Sequence, residues 1–284
     1  MSYNRQKDRN IHDPIMKKAT FKYLFLLLIF LGSTSFNSEP IDPCGVINES
    51  FQNGEHVIYK IYYNWNFVWI SAGEVDFKLT ETDEHYIVEA TGKTYKSYEV
   101  FFRVNDYYKT VIDKETMLPI EFERNIEEGG YRFYNKLEFD QAMGEVISYS
   151  GRNINEVTAK VYPIEDCMHD MLSTIYFLRN INFGNFESIK KFPINMFIDD
   201  EIYPIEITYE GKSKKKIKGF GEIDAVKISP QVVAGVVFTN EAKMDIWVSD
   251  DENKVPLVIE SPISVGSIQA ILKSHTGLKH SLGK

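Results

Sequence analysis

The chain has 284 residues, 43% of them hydrophobic and 14% aromatic, with a net charge of −9. That composition supplies a sizeable core and excludes a disordered chain. The acidic balance repels polyphosphate backbones, so nucleic acid is not an expected partner.

The first element is a leader. Lys17, Lys18 and Lys22 precede the apolar run Leu24–Leu31, which Gly32-Ser33-Thr34-Ser35 follows at once. A basic stretch, a short apolar core and small residues are the three parts of a secretory signal peptide. The run is far shorter than the ~20 residues that span a bilayer, so no stable transmembrane anchor is expected once the signal is cleaved. Residues 1–35 are read as the signal, with 1–15 as an upstream extension before Met16. Cys44 lies well beyond the apolar run, which argues against a lipoprotein box. The expected location is therefore a soluble form in the periplasm. Cleavage leaves 26 of the 32 basic and 39 of the 41 acidic residues, a mature charge of −13.

After an N-terminal segment, 36–50, the dominant period is two. In Gly73–Thr80, Val75, Phe77 and Leu79 share one face, while Glu74, Asp76, Lys78 and Thr80 share the other. This is the pattern of a strand with one dry side and one wet side. Similar runs cover 57–63, 85–91, 107–112, 120–126, 131–139 and 157–161. A second series covers 194–198, 203–209, 222–228, 243–248, 255–260 and 264–272. Turn residues separate them at 82–84, 128–130, 199–201 and 249–251. The fold class is mainly β: an antiparallel meander curled into an open barrel, half-barrel or two-sheet sandwich. It is read as one domain over 51–275, or as halves 51–162 and 190–275 joined by a helix, with a tail at 276–284.

One amphipathic helix near residues 167–179 interrupts the strands. Met168, Met171, Leu172, Ile175 and Leu178 form its apolar stripe, with Asp166 as N-cap and Arg179-Asn180 at its end. Such a helix either plugs the curled sheet or lies on its outer face. The two cysteines, Cys44 and Cys167, form a disulfide outside the cytoplasm, or Cys167 is a free thiol at the helix N-terminus; the disulfide is favoured. Two turns echo each other: Asp113–Phe122 and Asp250–Ile259 both place a proline at the start of a strand.

Familiar chemistry is sparse. Gly211-Lys212-Ser213 lacks the first glycine of a phosphate-binding loop, because position 206 is Glu206. No G-x-S-x-G elbow occurs. Asp166-Cys167-x-His169-Asp170 offers ligand types at spacings unsuited to one metal, so no metal or cofactor is expected. The basic run 212–218 reads as protection of a sheet edge, with an anionic headgroup site as the rival. Aromatic residues crowd both sides of the first strand. Tyr59, Tyr63, Trp65, Trp69, Arg103 and Tyr107 are the candidate binding residues, for a lipid-like ligand or a glycan, against the plainer reading that the rings fill the interior of the sheet. An envelope assembly factor docking a protein partner is the main alternative, and an enzyme on envelope glycan or lipid comes third.

Several short motifs follow one another along the chain. They are Phe51-x-x-Gly54-Glu55-x-x-x-Tyr59, Ile70-Ser71-Ala72-Gly73 and Phe101-Phe102-x-Val104-x-Asp106. Asp113–Pro119, Asp170-x-Leu172-Ser173-x-x-Tyr176-x-x-Arg179 and Ile246–Asp250 through Pro256 follow. In these the chain resembles a bacterial exported family catalogued as domain of unknown function 3108. The resemblance implies a β-rich periplasmic protein and carries no activity or functional residue with it.

Overall fold

The computed structural model describes residues 44–65, 68–182, 191–230, 244–263 and 266–283. The expected signal peptide lies outside the described residues. Eight strands come first: β1 (His56–Trp65), β2 (Val68–Glu81), β3 (His85–Thr94), β4 (Asn105–Asp113), β5 (Pro119–Glu128), β6 (Tyr131–Asp140), β7 (Glu145–Gly151) and β8 (Val157–Pro163). The two-residue β9 (Met168–His169) leads into helix α1 (Met171–Leu178). The second series is β10 (Lys191–Ile198), β11 (Glu201–Ile217), β12 (Gly221–Pro230), β13 (Asp245–Ser249), β14 (Pro256–Pro262) and β15 (Ser267–Thr276).

All of these strands belong to one sheet of order β8-β7-β6-β5-β4-β3-β2-β1-β15-β14-β13-β12-β11-β10-β9. Each half is a meander, and the halves join where β1 pairs antiparallel with β15, Ile61 opposite Ala270 and Tyr63 opposite Ile268. A sheet this wide must curl to bury its dry face. Local chemistry assists. The β1–β2 register shifts between Ile61 and Tyr62, opposite Gly73. A Cβ on Gly73 would lie 2.2 Å from the Lys93 carbonyl oxygen, so only glycine lets β2 approach β3 there. That accounts for the glycine of the Ile70–Gly73 motif.

The curl brings the sheet's ends together without a backbone ladder between β8 and β9. Side chains do the joining at the β10–β11 turn. Tyr162 donates to Asp200 Oδ2 at 2.7 Å and Ser148 to Asp200 Oδ1 at 2.6 Å, while Arg124 pairs with Asp199. Asp199 and Asp200 both have positive φ, 53° and 64°, as a tight hairpin turn requires. The sheet is therefore open in hydrogen bonding and nearly closed in shape.

Helix α1 lies inside the curl. Leu172 and Tyr176 belong to one buried cluster, with Phe51, Phe122 and Leu137, while Phe177 belongs to another, with Phe192, Ile205 and Ile228. Apolar contact on both sides explains why only eight residues hold a helical form. The sequence places the N-cap at Asp166; it is Asp170 instead. Leu172 N and Ser173 N donate to Asp170 Oδ1 at 2.7 and 2.9 Å, and Asp170 N donates to Ser173 Oγ. The helix starts late because Met168 and His169 are drawn into parallel pairing with β10. Cys167, at φ 59°, turns the chain into that pairing and is bonded to Cys44, with Cα atoms 5.2 Å apart. The disulfide holds residues 44–50 against the helix, and Val46 packs on both clusters it separates.

Candidate functional site

A cavity of about 220 Å³ opens between α1 and the strands around the β1–β15 seam. Its wall is mostly aliphatic: Val57 and Ile61 on β1, Val75 on β2, Ile228 on β12, Ile246 on β13 and Ile259 on β14. The dry face read in the sequence from Val75 and Phe77 is this wall. From α1 come Ile175, Tyr176 and Leu178. The helix packs its Phe177 side tightly and turns part of its predicted stripe, Ile175 and Leu178, toward the hollow. Both are half-buried, whereas Leu172, Tyr176 and Phe177 are fully buried.

One end of the cavity is polar. Arg179, the C-cap of α1, is 4% exposed and Glu55, just before β1, is 1% exposed. Their contact is bidentate, Nη1 to Oε1 at 2.5 Å and Nη2 to Oε2 at 2.8 Å. Arg179 also donates to the carbonyls of Asn253 at 2.9 Å and Ser50 at 3.2 Å, and lies over the rings of Phe51 and Tyr176. Tyr176 donates to Glu55 Oε1 at 3.4 Å. Burial pushes the Tyr59 and Tyr176 phenols above the ordinary tyrosine range. Two charges out of water are tolerated only with this degree of pairing and hydrogen bonding. Lys254, on the β13–β14 turn, also lines the cavity.

Of the six candidate binding residues, Tyr59 lines the cavity. Tyr63 lies beyond it along β1, and the Trp65 side chain is outside the described residues. Trp69 is 44% exposed and Arg103 is exposed. Tyr107 points outward and donates to Glu89 at 2.7 Å. Glu55, Arg179 and Lys254 are site residues that the sequence reading did not single out. The first two stand in motifs that carry the family resemblance, at Glu55 and Arg179, so the signal was present as spacing without chemistry. The lysine run on β11 is engaged with acids and rings: Lys212 meets Asp250 at 2.8 Å, Lys214 meets Glu222 at 3.2 Å, and Lys215 lies over Trp247.

On the other side of α1, His169 is 1% exposed, and neither ring nitrogen has a hydrogen-bond partner among the described residues. Its ring sits 4.5 Å from that of Phe177, next to a hollow of about 110 Å³ beside the disulfide. Among the described residues no three potential ligands gather for a metal. Burial pushes the His169 pKa down to about 4, and pushes that of Asp170 up to about 6 despite three donors to its carboxylate. The two act oppositely on stability. His169 binds its proton less readily folded than unfolded, so it destabilises the fold as pH falls from 6.5 towards 4. Asp170 binds its proton more readily folded, so it stabilises the fold over much the same window. Replacing His169 by Phe removes the first effect alone. Relative to the parent, His169→Phe is expected to gain about 3 kcal/mol in urea unfolding between pH 7 and pH 4. An unchanging difference between the two proteins would mean the ring is not held neutral by burial.

The geometry defines a class: a barrel-like protein made from one open, curled antiparallel sheet around an internal helix, with an apolar cavity at its seam. The family described as "Protein of unknown function (DUF3108)" matches residues 58–273, and the chain belongs to that family. A solved beta-barrel-like protein of domain of unknown function DUF1849 from Brucella abortus is similar over 80% of this chain and 98% of its own. Its TM-score is 0.55 at 10% identity, a likeness of fold alone. A protein from Bacteroides fragilis described as exported, with a YmcC-like fold, aligns over 82% of this chain and 100% of its own. Its TM-score of 0.29 at 11% identity carries no argument. Comparison with curated proteins gives no match. No described helix is long and apolar enough to cross a membrane.

Proposed function

We propose that the protein is an exported periplasmic binding protein that holds an apolar or amphipathic, lipid-like molecule in the cavity at the β1–β15 seam. The observation that carries this reading is the hollow itself. Elsewhere the curl is filled by large side chains such as Phe51, Phe122 and Phe177, whereas here aliphatic residues from six strands and α1 face open space. Apolar walls with a few placed polar groups are what small-molecule sites present. The Cys44–Cys167 disulfide and the leader at residues 17–35 both suit an oxidising compartment outside the cytoplasm.

A second reading has one observation in its favour. Strand β8 ends the sheet with nearly every residue exposed, including Val157 and Val161, and its outer backbone edge is open to another strand. That arrangement suits an envelope assembly factor that docks a protein partner by strand addition. Organic-solvent extraction of protein purified from the envelope of its native host separates the two. The carrier reading expects one apolar molecule per chain by mass spectrometry. A clean extract, with crosslinking to a single envelope protein through β8, supports the docking reading instead.

A further inference from the structure

The geometry points to Lys254 as the headgroup residue of this cavity, making its ligand a single-chain amphiphile with a monoanionic, carboxylate head. The inference rests on the carrier reading above and specifies the ligand's chemistry.

Three observations converge on Lys254. First, charge around the polar end is already balanced at Arg179 by the bidentate contact with Glu55, so that guanidinium is not available to a ligand's charge. Lys254 is different: it lines the same cavity, and its ammonium has no hydrogen bond or ion pair among the described residues. Second, two of the three acids near it, Asp251 and Glu252, are occupied, while the third, Glu49, is exposed and makes no contact with the ammonium. Asp251 Oδ1 accepts from Asn253 N and Ser249 Oγ, and Oδ2 accepts from Gly283 N. Glu252 pairs with His280 at 2.9 Å. Burial lowers the Lys254 pKa more than Asp251, Glu49 and Glu252 restore it, with Arg179 adding to the lowering. An incoming anion would supply the missing partner.

Third, the backbone is shaped to hold this side chain in place. Lys254 adopts φ 47°, in the left-handed region that costs a side-chain-bearing residue free energy. The echoing turn shows what the position does when no cavity is present. Met117 also stands two residues before a strand-opening proline, at φ 58°, and its side chain is buried at 1% exposure in the core. One turn design therefore directs its left-handed residue inward, to a packed methionine in one half and to a cation beside open space in the other. A half-buried cation next to an aliphatic wall selects a molecule with one charge and one chain.

The test compares cis-parinaric acid with its methyl ester, both followed by their fluorescence on binding. The wild-type protein is expected to bind the acid about tenfold or more tightly than the ester. Lys254→Met, which copies the Met117 turn, is expected to lose that preference while keeping its affinity for the ester. Equal binding of acid and ester by the wild type overturns the headgroup assignment and leaves the carrier reading standing. That comparison requires no variant to fold. Binding of neither probe overturns the carrier reading and this inference together. Preference for the acid that survives in Lys254→Met places the anion elsewhere and overturns the assignment of Lys254.

Discussion

Arg179→Met is expected to cost the protein about 3–5 kcal/mol of stability, because it leaves the Glu55 carboxylate buried without a counter-charge. Glu55 is 1% exposed, and its side chain has Arg179 and Tyr176 as partners. The loss also frees the carbonyls of Ser50 and Asn253 from their donor, which loosens the segment before β1 and the β13–β14 turn together. Glu55→Leu alone should be comparably severe. The double variant, Glu55→Leu with Arg179→Met, should recover most of the loss, since a well-packed apolar pair is often as stable as a buried ion pair. Urea unfolding of the four proteins forms a double-mutant cycle. A single variant costing under about 1 kcal/mol would mean that water reaches the pair and the site is not dry.

Removing the disulfide has the next largest effect. Cys44 and Cys167 are separated by 123 residues, so their bond constrains a long loop in the unfolded chain. On the chain-entropy account, Cys44→Ser with Cys167→Ser loses about 4–5 kcal/mol. The loss has a structural side as well. Residues 44–50 lie against α1, with Ser50 Oγ donating to the Arg179 carbonyl at 2.6 Å and Asn180 Oδ1 accepting from Glu49 N and Ser50 N. Unfolding midpoints of oxidised protein with and without the bond give the answer directly. Equal midpoints would show that the segment is held by packing alone.

Much of this architecture is legible in the sequence, for a definite reason. Where one face of a strand is dry and the other wet, alternation announces both the strand and its register, as with Val75, Phe77 and Leu79. Strand β7 escaped because its inward residues are mixed: Val146 is apolar, but Ser148 faces inward to bond Asp200 and accept from Asn135. A polar seam erases the very pattern by which a strand is recognised. Strand β9 escaped because two residues carry no period at all.

The site was less legible than the fold. Where aromatic rings stand on both faces of a strand, alternation does not say which ring turns inward, so these residues gave poor guidance. Tyr107 and Tyr59 look alike in sequence, yet one meets Glu89 on the outer surface and the other lines the cavity. For α1 the predicted stripe identified a real face, though Ile175 and Leu178 turn toward open space while Tyr176 and Phe177 supply the tight contacts. Glu55 and Arg179 are separated by 124 positions. Nothing local in either neighbourhood reveals that the curl of the sheet brings them together.

The seam cavity is the feature on which the functional account depends, and its occupancy can be measured. Protein purified from its native host and an Ala270→Phe variant prepared identically, in which a phenyl ring projects into the hollow, are extracted and their small molecules weighed by mass spectrometry. One acyl-chain amphiphile per wild-type chain, and little or none from the filled variant, is the expected result. Extracts that are equally rich, or equally empty, would contradict it.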